Sequence, residues 1–325
     1  MIRPAIAVAA TTMWLAGHAL AQQQQQPPAA PPPVDFSNVE IKTTDLGDNC
    51  YMLQGEGGNI TVAVAKDGII MVDGQSAPLH DKIKAAIEAI SKQPIKYLVN
   101  TSFHGDHTGG NESFAKDGAT VISQTNVSKR LAAGASNGLT GAKTTPAPQA
   151  ALPSDTYTNF SKIRLSGRVA NLKHIPNAHT DGDTYVWFKT ANVLSTGDTF
   201  TNGLYPNIDF ANGGHINGMI AATDAYLKLA NAKTRIVPGH GPLADRAALM
   251  EYRTMLVTAR ERMTKLVKDG KSEDEVVAAK PFADLDAKWA PTELAGKDFI
   301  RVVYHSLAVK PEARRPLLKR FFRRS

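Results

Sequence analysis

Cysteine is nearly absent from this 325-residue chain: Cys50 stands alone. No disulfide can form within one chain, and cysteine-built zinc modules and Cys-X-X-Cys redox motifs are excluded with it. A single small cysteine on a strand is expected to be buried rather than reactive. An apolar run that would span a bilayer is also missing. The nearest approach, within residues 1–21, is short and interrupted by Thr11, Thr12 and His18. The body of the chain lacks charge of either sign in excess. The formal net charge is +7, but residues 310–325 carry +6 of it (Lys310, Arg314, Arg315, Lys319, Arg320, Arg323 and Arg324 against Glu312) and Arg3 carries the rest. Residues 22–309 are neutral as a whole. A basic terminus of this kind reads as a solvated tail, so no nucleic acid is expected as a partner. What is present, 42% hydrophobic and 21% charged residues, is the composition of a soluble globular protein large enough to bury a core.

Residues 1–21 combine an early charge, an apolar stretch and Ala19-Leu20-Ala21 before a glutamine run. This pattern predicts a secretory signal peptide, hence a periplasmic or secreted protein with no stable membrane insertion after cleavage. Residues 22–35, rich in Gln and Pro, are expected to form a disordered linker. Short strands then follow one another. Residues 49–54 and 59–65 are separated by Gly55, Gly57 and Gly58, a hairpin signal, and 68–72 and 95–99 are apolar runs of strand length. Ile83, Ile87 and Ile90 have helical spacing within 80–91. Residues 125–153 suggest a helix breaking into a mobile loop that serves as a lid or as plain surface. Strands resume at 157–160, 162–165, 168–175, 184–188 and 192–195, then 234–237 after a helix at 219–230. Beyond residue 243 the texture becomes long, charged and helical.

The chemistry concentrates where strands end. After the 95–99 strand comes Asn-Thr-Ser-Phe-His-Gly-Asp-His-Thr-Gly-Gly-Asn, which places His104, Asp106 and His107 on one tight loop. Imidazole and carboxylate are the ligands a borderline cation prefers, and one loop cannot surround it alone. Three more strand ends deliver the remainder: His179 before Thr180, Asp198 in Gly-Asp-Thr, and His240 in Pro-Gly-His-Gly. His80, His174 and His305 are read as ordinary surface or core histidines, and His215 as a remote substitute ligand. Thr180 and Asp183 are expected to brace the loop carrying His179.

These four motifs, in this order, resemble the metallo-β-lactamase superfamily of zinc hydrolases, over about residues 39–242. The resemblance implies an α+β fold, a four-layer αββα sandwich occupying residues 36–245. A helical appendix at 246–310 and a basic tail at 311–325 would follow. It implies two metal sites: His104 and His179 at the first, Asp106, His107 and His240 at the second, and Asp198 between them. Asp73 would orient the metal loop, and Asp106 would be the catalytic residue. The family's metal loop usually carries another histidine where this chain has Ser102, a poor zinc ligand beside imidazole. One zinc held tightly at the second site is therefore expected, with a weaker or absent second zinc at the first, and Ser102 is left to position water or substrate. The implied activity is attack of zinc-bound hydroxide on an ester, lactone or β-lactam carbonyl of a small-molecule substrate. Tyr205 and Phe210 are candidates to wall the substrate pocket. The alternative is a catalytically degenerate zinc-binding or interaction protein of the same fold. The residues leave the substrate and the oligomeric state open.

Overall fold

The computed structural model describes residues 34–308. The expected signal peptide, nearly all of the linker and the basic tail lie outside those residues. The first sheet holds β1 (Lys42–Gly47), β2 (Cys50–Gln54), β3 (Ile60–Ala65), β4 (Gly68–Val72), β5 (Ile95–Asn100), β6 (Thr120–Gln124) and β7 (Asp155–Tyr157), in sequence order. Its first four strands are antiparallel neighbours, and β4 to β7 run parallel. The parallel half needs crossovers, supplied by α1 (His80–Ile90), the short α2 (Gly105–Thr108) with α3 (Asn111–Lys116), and α4 (Thr125–Ala133). The second sheet follows the order β12-β11-β10-β9-β8, built from β8 (Phe160–Leu165), β9 (Arg168–Ile175), β10 (Asp183–Phe188), β11 (Val193–Ser195) and β12 (Arg235–Val237).

Alternation along the strands builds the layers. In β4, Ile70 and Val72 face the second sheet, meeting Leu172, Val186 and Phe188, while Ile69 and Met71 face α1 through Ile83 and Ile87. Period-2 side chains on one strand thus serve two apolar interfaces, which explains why β4 is buried along its whole length. The second sheet repeats the device: Val186 and Phe188 point between the sheets, and Tyr185, Leu194 and Ile236 point outward. The outward set is covered by α5 (Ile216–Leu229), α6 (Arg246–Lys268) and α9 (Glu293–Ala308) through Met219, Tyr226, Leu249, Tyr252 and Phe299. The result is helix, sheet, sheet, helix, the α+β sandwich the resemblance implies.

Local signals set the C-terminal helices. The Asp245 side chain accepts from the Ala248 N–H at 2.9 Å to start α6. Ser272 and Glu275 close a reciprocal capping box on α7 (Glu273–Ala279). Three details depart from expectation. The metal loop contains a single helical turn, α2. A further helix, α8 (Ala283–Trp289), sits between Pro281 and Pro291. The strands expected at 157–160 and 162–165 lie at Asp155–Tyr157 (β7) and Phe160–Leu165 (β8), in different sheets, and the chain crosses from one to the other at residues 158–159.

Candidate metal centre

Each candidate ligand sits just beyond a strand end or in the loop that joins two strands. Asp73 follows β4, His104 to His107 follow β5, His179 follows β9, Asp198 follows β11 and His240 follows β12. The structure brings them together in two groups that could hold a metal ion. Asp106, His107, Asp198 and His240 form one; His104, His179 and Asp198 form the other, with donor atoms within 4.8 Å of one another in each. Asp198 belongs to both.

In the first group, His107 Nε2 lies 3.1 Å from Asp198 Oδ1 and 3.6 Å from Asp106 Oδ2. His240 Nε2 lies 3.1 Å from Asp106 Oδ2 and 3.4 Å from Asp198 Oδ1. Asp73 fixes the orientation of His107. Its Oδ1 accepts from the Thr101 N–H at 2.8 Å, and its Oδ2 accepts from the Thr101 hydroxyl at 2.6 Å and lies 2.9 Å from His107 Nδ1. A carboxylate only accepts, so Nδ1 carries its proton and Nε2 is the nitrogen presented to the cluster. Buried though they are, His107 Nε2 and Asp198 Oδ1 have no hydrogen-bond partner. Two such orphan groups facing each other are what a cation between them would satisfy.

The second group gives the same answer by another route. His104 Nε2 meets Asp209 Oδ2 at 2.9 Å, and His179 Nδ1 donates to the Asn207 carbonyl at 2.7 Å. Both outer nitrogens are thereby committed as donors. The inner pair, His104 Nδ1 and His179 Nε2, then face each other as lone pairs at 3.1 Å. A shared proton or a metal ion would satisfy that contact. With imidazole nitrogens and carboxylate oxygens as the whole donor set, both groups fit a zinc-like ion.

Charge follows from this crowding. Burial alone would raise Asp106, but His107 and His240 hold it down to about 2. The Asp198 carboxylate, outweighing burial, lifts His240 to about 10. Burial opposes the charged form of His107, yet Asp198, Asp73 and Asp106 prevail and raise it well above the usual imidazole range. Asp198 is held well below the usual range by His107 and His240 despite its burial. Cation binding must therefore displace protons from these imidazoles.

The cradle is closely fitted. A Cβ on Gly58 would come within 2.3 Å of the His107 ring, and one on Gly239 within 2.0 Å of Asp198 Oδ1. The glycine turn between β2 and β3 is thus a lid on His107. It is tied to the His240 loop by Asn59, whose side chain donates to the Pro238 and Gly241 carbonyls at 2.9 Å each. Thr180 and Asp183 brace the His179 loop as expected, with the Thr180 N–H 2.9 Å from an Asp183 oxygen. Burial pushes Asp183 up to about 6, against the opposing charge of His179 and the Thr180 donors.

Other candidates land elsewhere. The Ser102 side chain is buried, and its hydroxyl accepts weakly from the His104 N–H at 3.4 Å, turned toward its own loop. His215 caps α5, its Nδ1 accepting from the Asn217 N–H at 3.0 Å. Tyr205 is not at the metal groups: its hydroxyl donates to Asp286 at 2.9 Å and its ring stacks on Phe299. Phe210 stacks on His305 and fills the space beside Gly138.

Sequence reasoning missed the residues behind the second group. Asp209 is held by the Asn212 side chain, whose oxygen in turn accepts from Arg130 at 2.6 Å. Arg130 also clasps both oxygens of Asp181. No motif marks these residues, because they act through contacts between distant segments; Asp209 lies in a stretch notable in sequence only for its aromatics. A cavity of about 490 Å³ opens over His104 and Asp106, roofed by residues 135–145. That segment is a hydrogen-bonded flap: Asn137 N–H donates to the Ala142 carbonyl at 2.8 Å, and Asn212 pins the Ser136 carbonyl at 3.0 Å.

Comparison with known proteins agrees with this architecture. No curated protein sequence matches the chain. Among solved structures, a metallo-beta-lactamase from Pontibacter korlensis is similar with a TM-score of 0.57 and 16% identity, covering 67% of this chain and 99% of that one. The DIM-1 metallo-beta-lactamase gives 0.55 and 18%, covering 68% and 99%. The sec-alkylsulfatase Pisa1 from Pseudomonas sp. gives 0.56 and 17%, covering 81% of this chain but 50% of that one. At such identities the likeness concerns the fold. The sequence model of the Metallo-beta-lactamase superfamily, however, matches residues 53–240, over half the chain and every candidate ligand. With its donors on the strand ends of two packed sheets, this chain belongs to the metallo-beta-lactamase superfamily.

Proposed function

We propose that the chain is an exported zinc-dependent hydrolase that opens an ester, lactone or β-lactam carbonyl. The observation that carries the reading is the pair of buried, partnerless atoms, His107 Nε2 and Asp198 Oδ1, converging with Asp106 and His240. These four residues would hold the first zinc; His104, His179 and Asp198 would hold a second, weaker one, since Ser102 adds no imidazole. Bound there, zinc supplies Lewis acidity and acidifies water to a pKa of about 7. Export rests on the residues 1–21 pattern alone.

The chain's own groups divide the remaining work. Asp106 is the one carboxylate of the cluster that also lines the 490 Å³ cavity. Its oxygen takes the proton of the attacking water as the new C–O bond forms. It returns that proton to the leaving oxygen or nitrogen as the acyl bond breaks. Asp73, Asp209 and the Asn207 carbonyl keep His107, His104 and His179 in the tautomers the site needs. The flap at 135–145 excludes bulk water from the carbonyl. Substitution of Ser102 for a histidine favours the degenerate binding protein as the one alternative.

Zinc per chain and hydrolysis of nitrocefin, a simple lactone and a simple ester, before and after chelation, test the reading. Bound zinc with chelator-sensitive turnover of any of the three is expected. Bound zinc with no turnover on any of them would move the assignment to the binding protein.

A further inference from the structure

A further cavity of about 870 Å³ lies away from the candidate metal ligands. It lies between the flap tip, residues 204–207 and helices α8 and α9. Its volume is that of a site for a drug-sized molecule. Leu139, Tyr205, Trp289, Leu294, Phe299 and Val302 supply apolar surface to it. The charged residues that reach it are paired with one another. Arg301 pairs with Glu273 at 3.3 Å and Asp298 at 3.1 Å, and His305 pairs with Glu273 at 2.9 Å. The Tyr205 hydroxyl is spent on Asp286. An anionic ligand would find no free cation there among the described residues, and burying its charge would be costly.

Its position ties this cavity to the chemistry. Asn137, Thr140 and Asn207 line both cavities, so the two adjoin at the flap tip. Asn207 is the residue whose carbonyl holds His179, and Asp209, two residues on, holds His104. One strip of chain therefore has the metal ligands on one side and the apolar cavity on the other. At the outer mouth Leu294 is 62% exposed, an apolar side chain left in water beside a cavity whose apolar surface is rimmed by paired charges and amides.

We propose that this outer cavity receives an uncharged apolar arm of the substrate, an alkyl, acyl or aryl group, while the scissile carbonyl lies in the inner cavity. The inference rests on the hydrolase reading and narrows its substrate class. A molecule bearing its reactive group at one end and an apolar arm at the other spans the flap tip.

The test uses the full chain and two variants. Ala295→Trp builds an indole into the cavity from α9, and Leu294→Glu puts a carboxylate at its mouth. Leu294 is already exposed, so the second variant does not disturb a packed core. The uncharged fluorophore N-phenyl-1-naphthylamine is titrated into each protein after metal chelation. One saturable site in the wild type is expected, weakened about tenfold or more in both variants by loss of apolar contact. The ratio of kcat/KM for p-nitrophenyl octanoate over acetate should fall by a similar factor, chiefly through KM of the octanoate. No probe binding by the wild type, or equal binding by all three proteins, overturns the inference. Ester turnover without any chain-length preference also overturns it while leaving the hydrolase reading intact. Variant-sensitive probe binding with no turnover of ester, lactone or nitrocefin does the reverse, sustaining the apolar site and removing the hydrolase.

Discussion

Asp73→Asn isolates how far the metal centre depends on one carboxylate that touches no metal-facing atom. Asp73 is 1% exposed and its two oxygens serve three partners: the Thr101 N–H, the Thr101 hydroxyl and His107 Nδ1. An asparagine there keeps one oxygen and gains two N–H donors. If the oxygen faces His107, the amide NH2 meets the buried Thr101 N–H, donor against donor, at about 1–3 kcal/mol. If the oxygen instead faces Thr101 N, the Thr101 hydroxyl can rotate to accept, but the NH2 group then opposes His107 Nδ1–H. The cheaper escape is for His107 to move its proton to Nε2, the nitrogen turned toward Asp198. Zinc must then reverse that tautomer before it binds. The expected cost is about 10- to 100-fold in affinity, or about 1.4–2.7 kcal/mol. Competition with a chromogenic chelator measures it, alongside Tm of the metal-stripped protein. Zinc affinity within about twofold of wild type, with Tm lowered, would show that Asp73 merely supports the loop and would refute the tautomer argument.

Three further outcomes follow from the same geometry. Gly58→Ala pushes a methyl against the His107 ring, which Asp73 holds from the other side; zinc content should drop and stability fall by about 1–3 kcal/mol in denaturant titration. In metal-stripped protein His240 is raised from 6.5 to about 10, so its ion pairs contribute fully below pH 6.5 and are lost as pH rises through 10. Tm of the stripped chain should therefore decline over that window, whereas Asp106, held at about 2, withdraws its contribution only in strong acid below the ordinary carboxylate range. Cys50, buried and pushed up to about 11 by burial against the nearby charge of Arg168, should ignore a thiol reagent at pH 8 and react once per chain after unfolding. Rapid labelling of the folded protein would contradict that placement.

The candidate centre is legible in the sequence because every candidate ligand occupies a repeated local setting, a short apolar strand followed by a small residue or turn. His104, Asp106, His107, His179, Asp198 and His240 all converge, and Asp73 stands where the resemblance set it. The layers were legible for the same reason: alternation along β4 and β10 assigns each side chain a face. What escaped depends on tertiary distance. Asp209 reaches His104 across more than a hundred residues of sequence, and no spacing rule connects them. Tyr205, expected to wall a pocket near Asp198, lies instead along the outer cavity, its ring stacked on Phe299 and its hydroxyl bonded to Asp286, both on the C-terminal helices. The short helix α8 escaped because seven residues carry too little periodicity to announce themselves. For the flap the sequence offers a mobile loop, either a lid or plain surface, since its Ala, Gly and Thr content hides the hydrogen bonds that Asn137 and Asn212 make within it.

The lid that Gly57, Gly58 and Asn59 form over His107 also joins the two ends of the segment that carries the candidate ligands. Asn59 comes early and grips the carbonyls around His240, which is placed only when β12 pairs with β11. During synthesis, the segment carrying His104, Asp106 and His107 emerges long before its fourth donor. Until that last strand docks, the early donors make at most an incomplete, weakly chelating set, and the lid has nothing to latch onto. If the centre is loaded as proposed, firm metal retention would act as a certificate of completed folding, since a chain that holds the ion against a chelator would need both sheets assembled.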